Sequence, residues 1–163
     1  MNNFLYFFII LLRILSAPLI FILPLQSIIL SVFLDIIDGD FACKVVTKKN
    51  YQLIDKNLDL WWFINILIYS FINYPNYKTY LLILFLYRLI GQLIFYFNHN
   101  RKVLMFFPNF FEWIFFLIFF GKNYYPFTLI VFLAKILQEW FLHIANLSIK
   151  EIIFKKKRLW RKD

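Results

Sequence analysis

The chain has 163 residues, of which 63% are hydrophobic, 23% aromatic and only 17% charged. A soluble domain is typically about 45–50% apolar and about 25% charged, so neither a water-facing shell nor a disordered chain suits this composition, and the bilayer is the expected solvent. Net charge is +9, from 18 Lys and Arg against 9 Asp and Glu. In so apolar a chain that excess reads as the positive-inside bias of a membrane protein, not as a nucleic-acid surface. The single cysteine, Cys43, excludes an internal disulfide and a cysteine-rich metal site. Neither His99 nor His143 has a second histidine at ligand spacing. Arg13 interrupts the first apolar stretch and no small-residue cleavage site follows it, so no cleavable signal is expected.

A spanning helix needs about 20 mostly apolar residues. Six stretches qualify, at about 3–23, 25–46, 51–73, 78–97, 103–121 and 126–147. Their apolar runs are continuous rather than alternating, which selects helices over barrel strands. Turn residues separate them: Pro24, Asn73 to Asn76 around Pro75, Asn98 to Asn100, and Gly121 to Pro126. The expected fold is an all-α integral membrane bundle of six transmembrane helices, with one domain over 1–147 and a basic cytoplasmic tail over 148–163. With the N-terminus in the cytoplasm, that side holds thirteen basic residues: Lys44, Lys48, Lys49, Lys56, Arg101, Lys102, Lys150 and the six of the tail. The opposite side holds only Lys78 and Lys122, and an even number of spans returns the C-terminus to the cytoplasm. The sequon Asn146-Leu147-Ser148 then lies on the cytoplasmic side and carries no weight.

In chain order, the first stretch contains one cation, Arg13, which can snorkel to the interface. The second and third contain five of the nine acidic residues: Asp35, Asp38, Asp40, Asp55 and Asp59. Asp35 and Asp38 are three apart and share a helix face, as do Asp55 and Asp59, four apart. The connection between the two helices is short, so these faces can meet at one end of the bundle. Asp40 is expected to point away, towards Lys44 at i+4. One Asp at the centre of a membrane helix costs about 2.5–3.5 kcal/mol on insertion scales, and clustered carboxylates repel. Either these groups sit near an interface or a cation offsets them. Hard, oxygen-preferring Mg²⁺ suits an all-carboxylate site and usually also binds a substrate phosphate.

The fourth to sixth stretches hold Arg88, Glu112, Lys135 and Glu139. Lys135 and Glu139 are four apart and can pair on one face, while Glu112 can meet Arg88 or Lys135; interhelical ion pairs would let a polar interior survive in lipid. The Pro108 stretch, flanked by Phe106, Phe107, Phe110 and Phe111, opens the fifth helix and reads as lipid-facing bulk. The tail residues Lys155, Lys156, Lys157, Arg158, Arg161 and Lys162 surround Trp160; they read as a topological anchor, with contact to anionic lipid as the alternative.

The segment Asp35-Ile-Ile-Asp38-Gly39-Asp-Phe-Ala42, followed by Asp55-Lys-Asn-Leu-Asp59, resembles the signature D-x2-D-G-x2-A-R-x8-G-x3-D-x3-D of the CDP-alcohol phosphotransferases. Leu11-Leu12-Arg13-Ile14-Leu15-Ser16-Ala17-Pro18 is similar to the Arg and Pro region of that family's first helix. Six of the eight fixed motif positions match. Cys43 stands at the motif Arg, Tyr51 falls at the second Gly, and the gap between the halves is one residue shorter.

Members of the family transfer a phosphoalcohol group from a CDP-linked donor such as CDP-diacylglycerol to an acceptor hydroxyl, releasing CMP. The resemblance therefore implies an integral-membrane transferase of phospholipid synthesis with its active site facing the cytoplasm. It implies Asp35, Asp38, Asp55 and Asp59 around two divalent ions, Mg²⁺ or Mn²⁺, with Asp59 also as general base. Gly39, Ala42 and Lys44 would lie at the nucleotide, Lys44 supplying the missing cation; close helix packing is the alternative for Gly39 and Ala42. Tyr51 would narrow the pocket or stack on a ligand. Arg88 and Lys135 would bind a phosphate on the acceptor, and a homodimer is the implied assembly. The competing expectation, motivated by Cys43 and Tyr51, is a catalytically silent relative that binds a CDP-lipid or serves as a structural membrane protein. A cation transporter fits less well, because the acidic groups cluster at one end.

Overall fold

The structure, a computed structural model, describes residues 2–121, 125–143 and 160. Among them every element is helical, with no strand: α1 (Asn2–Ser16), α2 (Pro24–Ala42), α3 (Lys48–Asn73), α4 (Lys78–Asn98), α5 (Phe110–Phe119) and α6 (Tyr125–His143). Three short 3-10 helices lie between them, at Pro18–Phe21, Pro75–Tyr77 and Arg101–Met105. Three helical stretches are long and apolar enough to cross a membrane: Asn3–Phe21, Pro75–Asn98 and Arg101–Phe119. The described residues fall into two compact units, Met1–Tyr69 with Lys157–Asp163, and Ser70–Lys156.

The first unit exposes large apolar side chains and buries several charged ones. Phe7, Ile29, Phe33 and Ile36 are exposed on α1 and α2, while Arg13, Asp38, Asp55 and Lys56 are buried. That reverses the pattern of a soluble domain and is compatible with a membrane protein. The predicted first span runs unbroken to 23, but the α-helix stops at Ser16 and a 3-10 turn begins at Pro18. Proline lacks an N–H and disfavours the α conformation in the residue before it. The last four carbonyls of a helix have no partner within it, and here three of them find one. The Ser16 hydroxyl donates to the Arg13 carbonyl at 2.9 Å, the Trp61 indole to Ile14 at 3.0 Å, and the Ser27 hydroxyl to Ser16 at 2.6 Å. Donors from α2 and α3 thus tie down the end of α1, fixing where Arg13 sits.

The second unit is packed with aromatic rings. Phe85 meets Phe111 edge-on, and Phe110 stacks on Phe132 with centroids 4.0 Å apart. The predicted fifth span, 103–121, is not one helix. A 3-10 turn ends at Met105, and α5 begins only at Phe110, beyond Pro108. Its ten residues make about 15 Å of helix, half of the roughly 30 Å hydrocarbon layer. The break frees backbone carbonyls, and α4 supplies donors: the Arg88 guanidinium to Phe107 at 2.6 Å, and the Tyr87 hydroxyl to Phe106. Gly91 makes this approach possible, because a Cβ there would lie 2.3 Å from the Phe107 Cβ. Asn109 caps α5 by accepting from the Glu112 backbone N–H, and its side-chain amide donates to the Glu112 carboxylate at 2.9 Å. Gly121 (φ +65°) closes α5 in the left-handed region that a side chain would disfavour. The predicted sixth span is helical from Tyr125 to His143, and its last four residues lie outside the described ones.

Candidate metal centre

Two helices of the first unit bring the carboxylates together and a third supplies a counter-charge. α2 carries Asp35 and Asp38 on one face, and α3 carries Asp55 and Asp59 one turn apart. The Arg13 guanidinium from α1 reaches all four. It donates to Asp35 at 2.9 Å, Asp55 at 3.2 Å and Asp59 at 3.0 Å, and it also pairs with Asp38. Side-chain exposure falls from 55% at Asp35 to 7% at Asp55 and 3% at Asp38. The cluster therefore has one accessible member and an enclosed floor.

A second cation joins from within α3. Lys56 lies 2.8 Å from Asp55 and also pairs with Asp59. Its side chain is only 9% exposed. Tyr51, at the motif Gly, donates its hydroxyl to Asp38 at 2.8 Å. Asp38 is thus engaged by Arg13 and Tyr51 together. The other three aspartates, Asp35, Asp55 and Asp59, each present an oxygen such that all three oxygens lie within 4.8 Å of one another. Three carboxylate oxygens so placed can hold a metal ion.

The remaining predicted nucleotide residues scatter. Gly39 is buried on α2 and accepts from the Cys43 backbone N–H at 3.2 Å. Ala42 is fully buried against Tyr6 and Val45, with Tyr51 and Trp160 packed on the same cluster; this is the close packing named as its alternative. Lys44 is exposed in the turn after α2. Cys43, at the motif Arg, is buried and its thiol points to the Asp40 carbonyl at 3.3 Å.

Arg88 and Lys135 belong to the second unit. Arg88 spans the break before α5, and Lys135 is buried with its ammonium 3.0 Å from the Gln138 side-chain oxygen. The side chain of Glu139, the expected partner of Lys135, lies outside the described residues. Of the tail, only Trp160 is described; its ring centroid is 5.0 Å from that of Tyr51.

Sequence reasoning missed Arg13 and Lys56 as members of the cluster. Both left a signal. Arg13 is the only charge in an otherwise apolar helix, and Lys56 is adjacent to Asp55 and three residues before Asp59. Against known proteins, the chain matches no family model, no curated protein and no solved structure. The likeness to CDP-alcohol phosphotransferases therefore rests on the residues of α1, α2 and α3 themselves.

Proposed function

We propose that the chain is an integral-membrane CDP-alcohol phosphotransferase, moving a phosphatidyl-type group from a CDP-alcohol to an acceptor hydroxyl and releasing CMP. The single observation that carries this reading is the convergence of Asp35, Asp55 and Asp59 within 4.8 Å, on residues that match the family's motif positions. In this reading six helical spans cross the membrane, the fifth made of the 3-10 turn Arg101–Met105 and α5 together, both termini are cytoplasmic and the site opens to the cytoplasm. A homodimer remains part of the proposal.

A donor pyrophosphate carries charge that repels an incoming hydroxyl. A divalent cation bound by Asp35, Asp55 and Asp59 would neutralise that charge and stabilise departing CMP. The protein's own groups do the rest. Asp59 takes the proton of the acceptor hydroxyl as its oxygen attacks the phosphorus. A new P–O bond forms, the bond to CMP breaks, and CMP leaves with the electron pair. Arg13, on the same carboxylates, holds α1 against the site and supplies a fixed positive charge beside the donor phosphates. The buried floor formed by Asp38 and Asp55 keeps bulk water away from the reacting phosphorus.

A second reading has its own observation. Arg13 and Lys56 already neutralise half of the four carboxylates, which suits a silent relative whose polar centre is structural. One assay separates the two. Purified protein with CDP-diacylglycerol, Mn²⁺ and a panel of alcohol acceptors is expected to release CMP, and Asp59→Asn to reduce turnover by at least 100-fold, on the order expected for loss of a general base, while remaining folded. No CMP with any acceptor would favour the silent relative.

A further inference from the structure

The basic tail takes no part in the proposed reaction, yet one of its residues has a defined seat. Trp160 is half-buried and packs, with Tyr51, on the buried cluster of Tyr6, Ala42 and Val45. Tyr6 lies near the start of α1, Ala42 ends α2 and Tyr51 is in the first turn of α3. The seat is therefore at one end of the first unit, where the helices turn. An indole has an apolar body and a polar N–H, and tryptophan favours the headgroup level of a membrane.

Two basic segments are brought to this seat. Lys44 precedes the buried Val45, and Lys48 and Lys49 come just before Tyr51; all three lysines are exposed. Among the described residues none of them is in an ion pair. Arg161 follows Trp160 directly, and Arg158 and Lys162 are two residues away. Two residues of chain reach at most about 7 Å between Cα atoms, so these three charges stay close to the indole. No acidic residue lies between positions 41 and 54, and between 152 and 163 only Asp163 is acidic. Like charges gathered from distant parts of the chain repel, and an anionic partner that touches both segments offsets the repulsion.

We propose that the turn between α2 and α3 and the tail form one surface for anionic phospholipid headgroups, pinned together by Trp160. The lysines of the turn and the cations beside Trp160 take the lipid phosphate. The exposed Phe4, Phe7 and Phe8, on α1 around Tyr6, offer an apolar face to the acyl chains of the same lipid. A soluble polyanion would meet the charges but not this face. The surface needs no metal and no turnover, so it stands apart from the transferase reading.

The test uses the full chain in neutral detergent micelles. Bound phosphatidylglycerol and phosphatidylcholine of the same acyl chains are counted by native mass spectrometry, and folding is followed by size exclusion. Phosphatidylglycerol is expected to be retained over phosphatidylcholine by about fivefold or more, the scale of one basic residue at an anionic surface, and salt should erode that preference. Trp160→Ala removes no charge, yet should lower phosphatidylglycerol affinity by a similar factor. Lys44→Gln, Lys48→Gln and Lys49→Gln together should do the same in the otherwise wild-type chain, but less than about twofold once Trp160→Ala is present, because coupled sites do not add. Three results would each overturn the proposal: unchanged affinity in Trp160→Ala, an equal loss from the lysine substitutions with and without Trp160, or displacement of the lipid by inorganic phosphate at equal concentration. The exposed lysines decide even if Trp160→Ala does not fold, since no loss from their substitution also overturns it. Lipid retention is read without CMP release, so failure here leaves the transferase reading standing, and an inactive enzyme leaves this result untouched.

Discussion

The two units of this protein use buried polar groups in opposite ways. In the second unit several of them repair the backbone: Arg88, with the half-buried Tyr87, donates to carbonyls freed by the break before α5, and Asn109 with Glu112 closes the start of that helix. In the first unit the serines and Trp61 do similar work at the end of α1, but Arg13, Asp35, Asp38, Asp55, Lys56 and Asp59 are spent on one another. A helix terminus explains one or two polar side chains. It does not explain four carboxylates gathered around a guanidinium, since a buried ion pair is often no better for stability than well-packed apolar residues of the same volume. On the proposed reading, the first unit is the place where stability gives way to function.

The largest expected effect tests that contrast directly. Arg13→Met takes away the guanidinium that pairs with all four carboxylates, and removal of one partner from a buried ion cluster costs about 3–5 kcal/mol. Thermal unfolding in metal-free buffer should show the loss, and Mn²⁺ should recover more of it than the same Mn²⁺ adds to the wild type. A variant as stable as the wild type without metal would mean that the cluster is not a charge problem at all.

Gly91→Ala probes the second unit instead. The added methyl meets the Phe107 Cβ at 2.3 Å, and overpacking of this kind costs about 1–3 kcal/mol. Its melting temperature should fall while its Mn²⁺ count stays at the wild-type value. Asn109→Ala is milder, at about 0.5–2 kcal/mol for a lost helix cap, again with no change in metal binding. A shift in metal affinity from either would show that the two units do not divide their labour as described.

Much of this was legible beforehand. Continuous apolar runs placed the helices, and the spacings of Asp35 with Asp38 and of Asp55 with Asp59 put the carboxylates on facing surfaces. Two features were not. The breaks at Pro18 and Pro108 sit inside apolar runs, so hydropathy passes through them unchanged; only the loss of a backbone N–H marks them, and its cost depends on donors such as Arg88 that arrive from another helix. The partnership of Arg13 with the aspartates was hidden for a related reason. A lone arginine in a membrane helix can reach the interface or a partner, and the choice belongs to tertiary packing, here set by Ser27 and Trp61 holding the end of α1. Lys56 was counted towards topology alone, because a basic residue near a helix start is usually solvated.

The reach of Arg13 across three helices also bears on how the chain is made. It leaves the ribosome 22 residues before Asp35 and 42 before Asp55. On the proposed topology, its counter-charge is already in place when the acidic hairpin of α2 and α3 enters the bilayer. On that topology, reversing the order by circular permutation that moves α1 to the far end would bring the carboxylates into lipid with Lys56 but without Arg13.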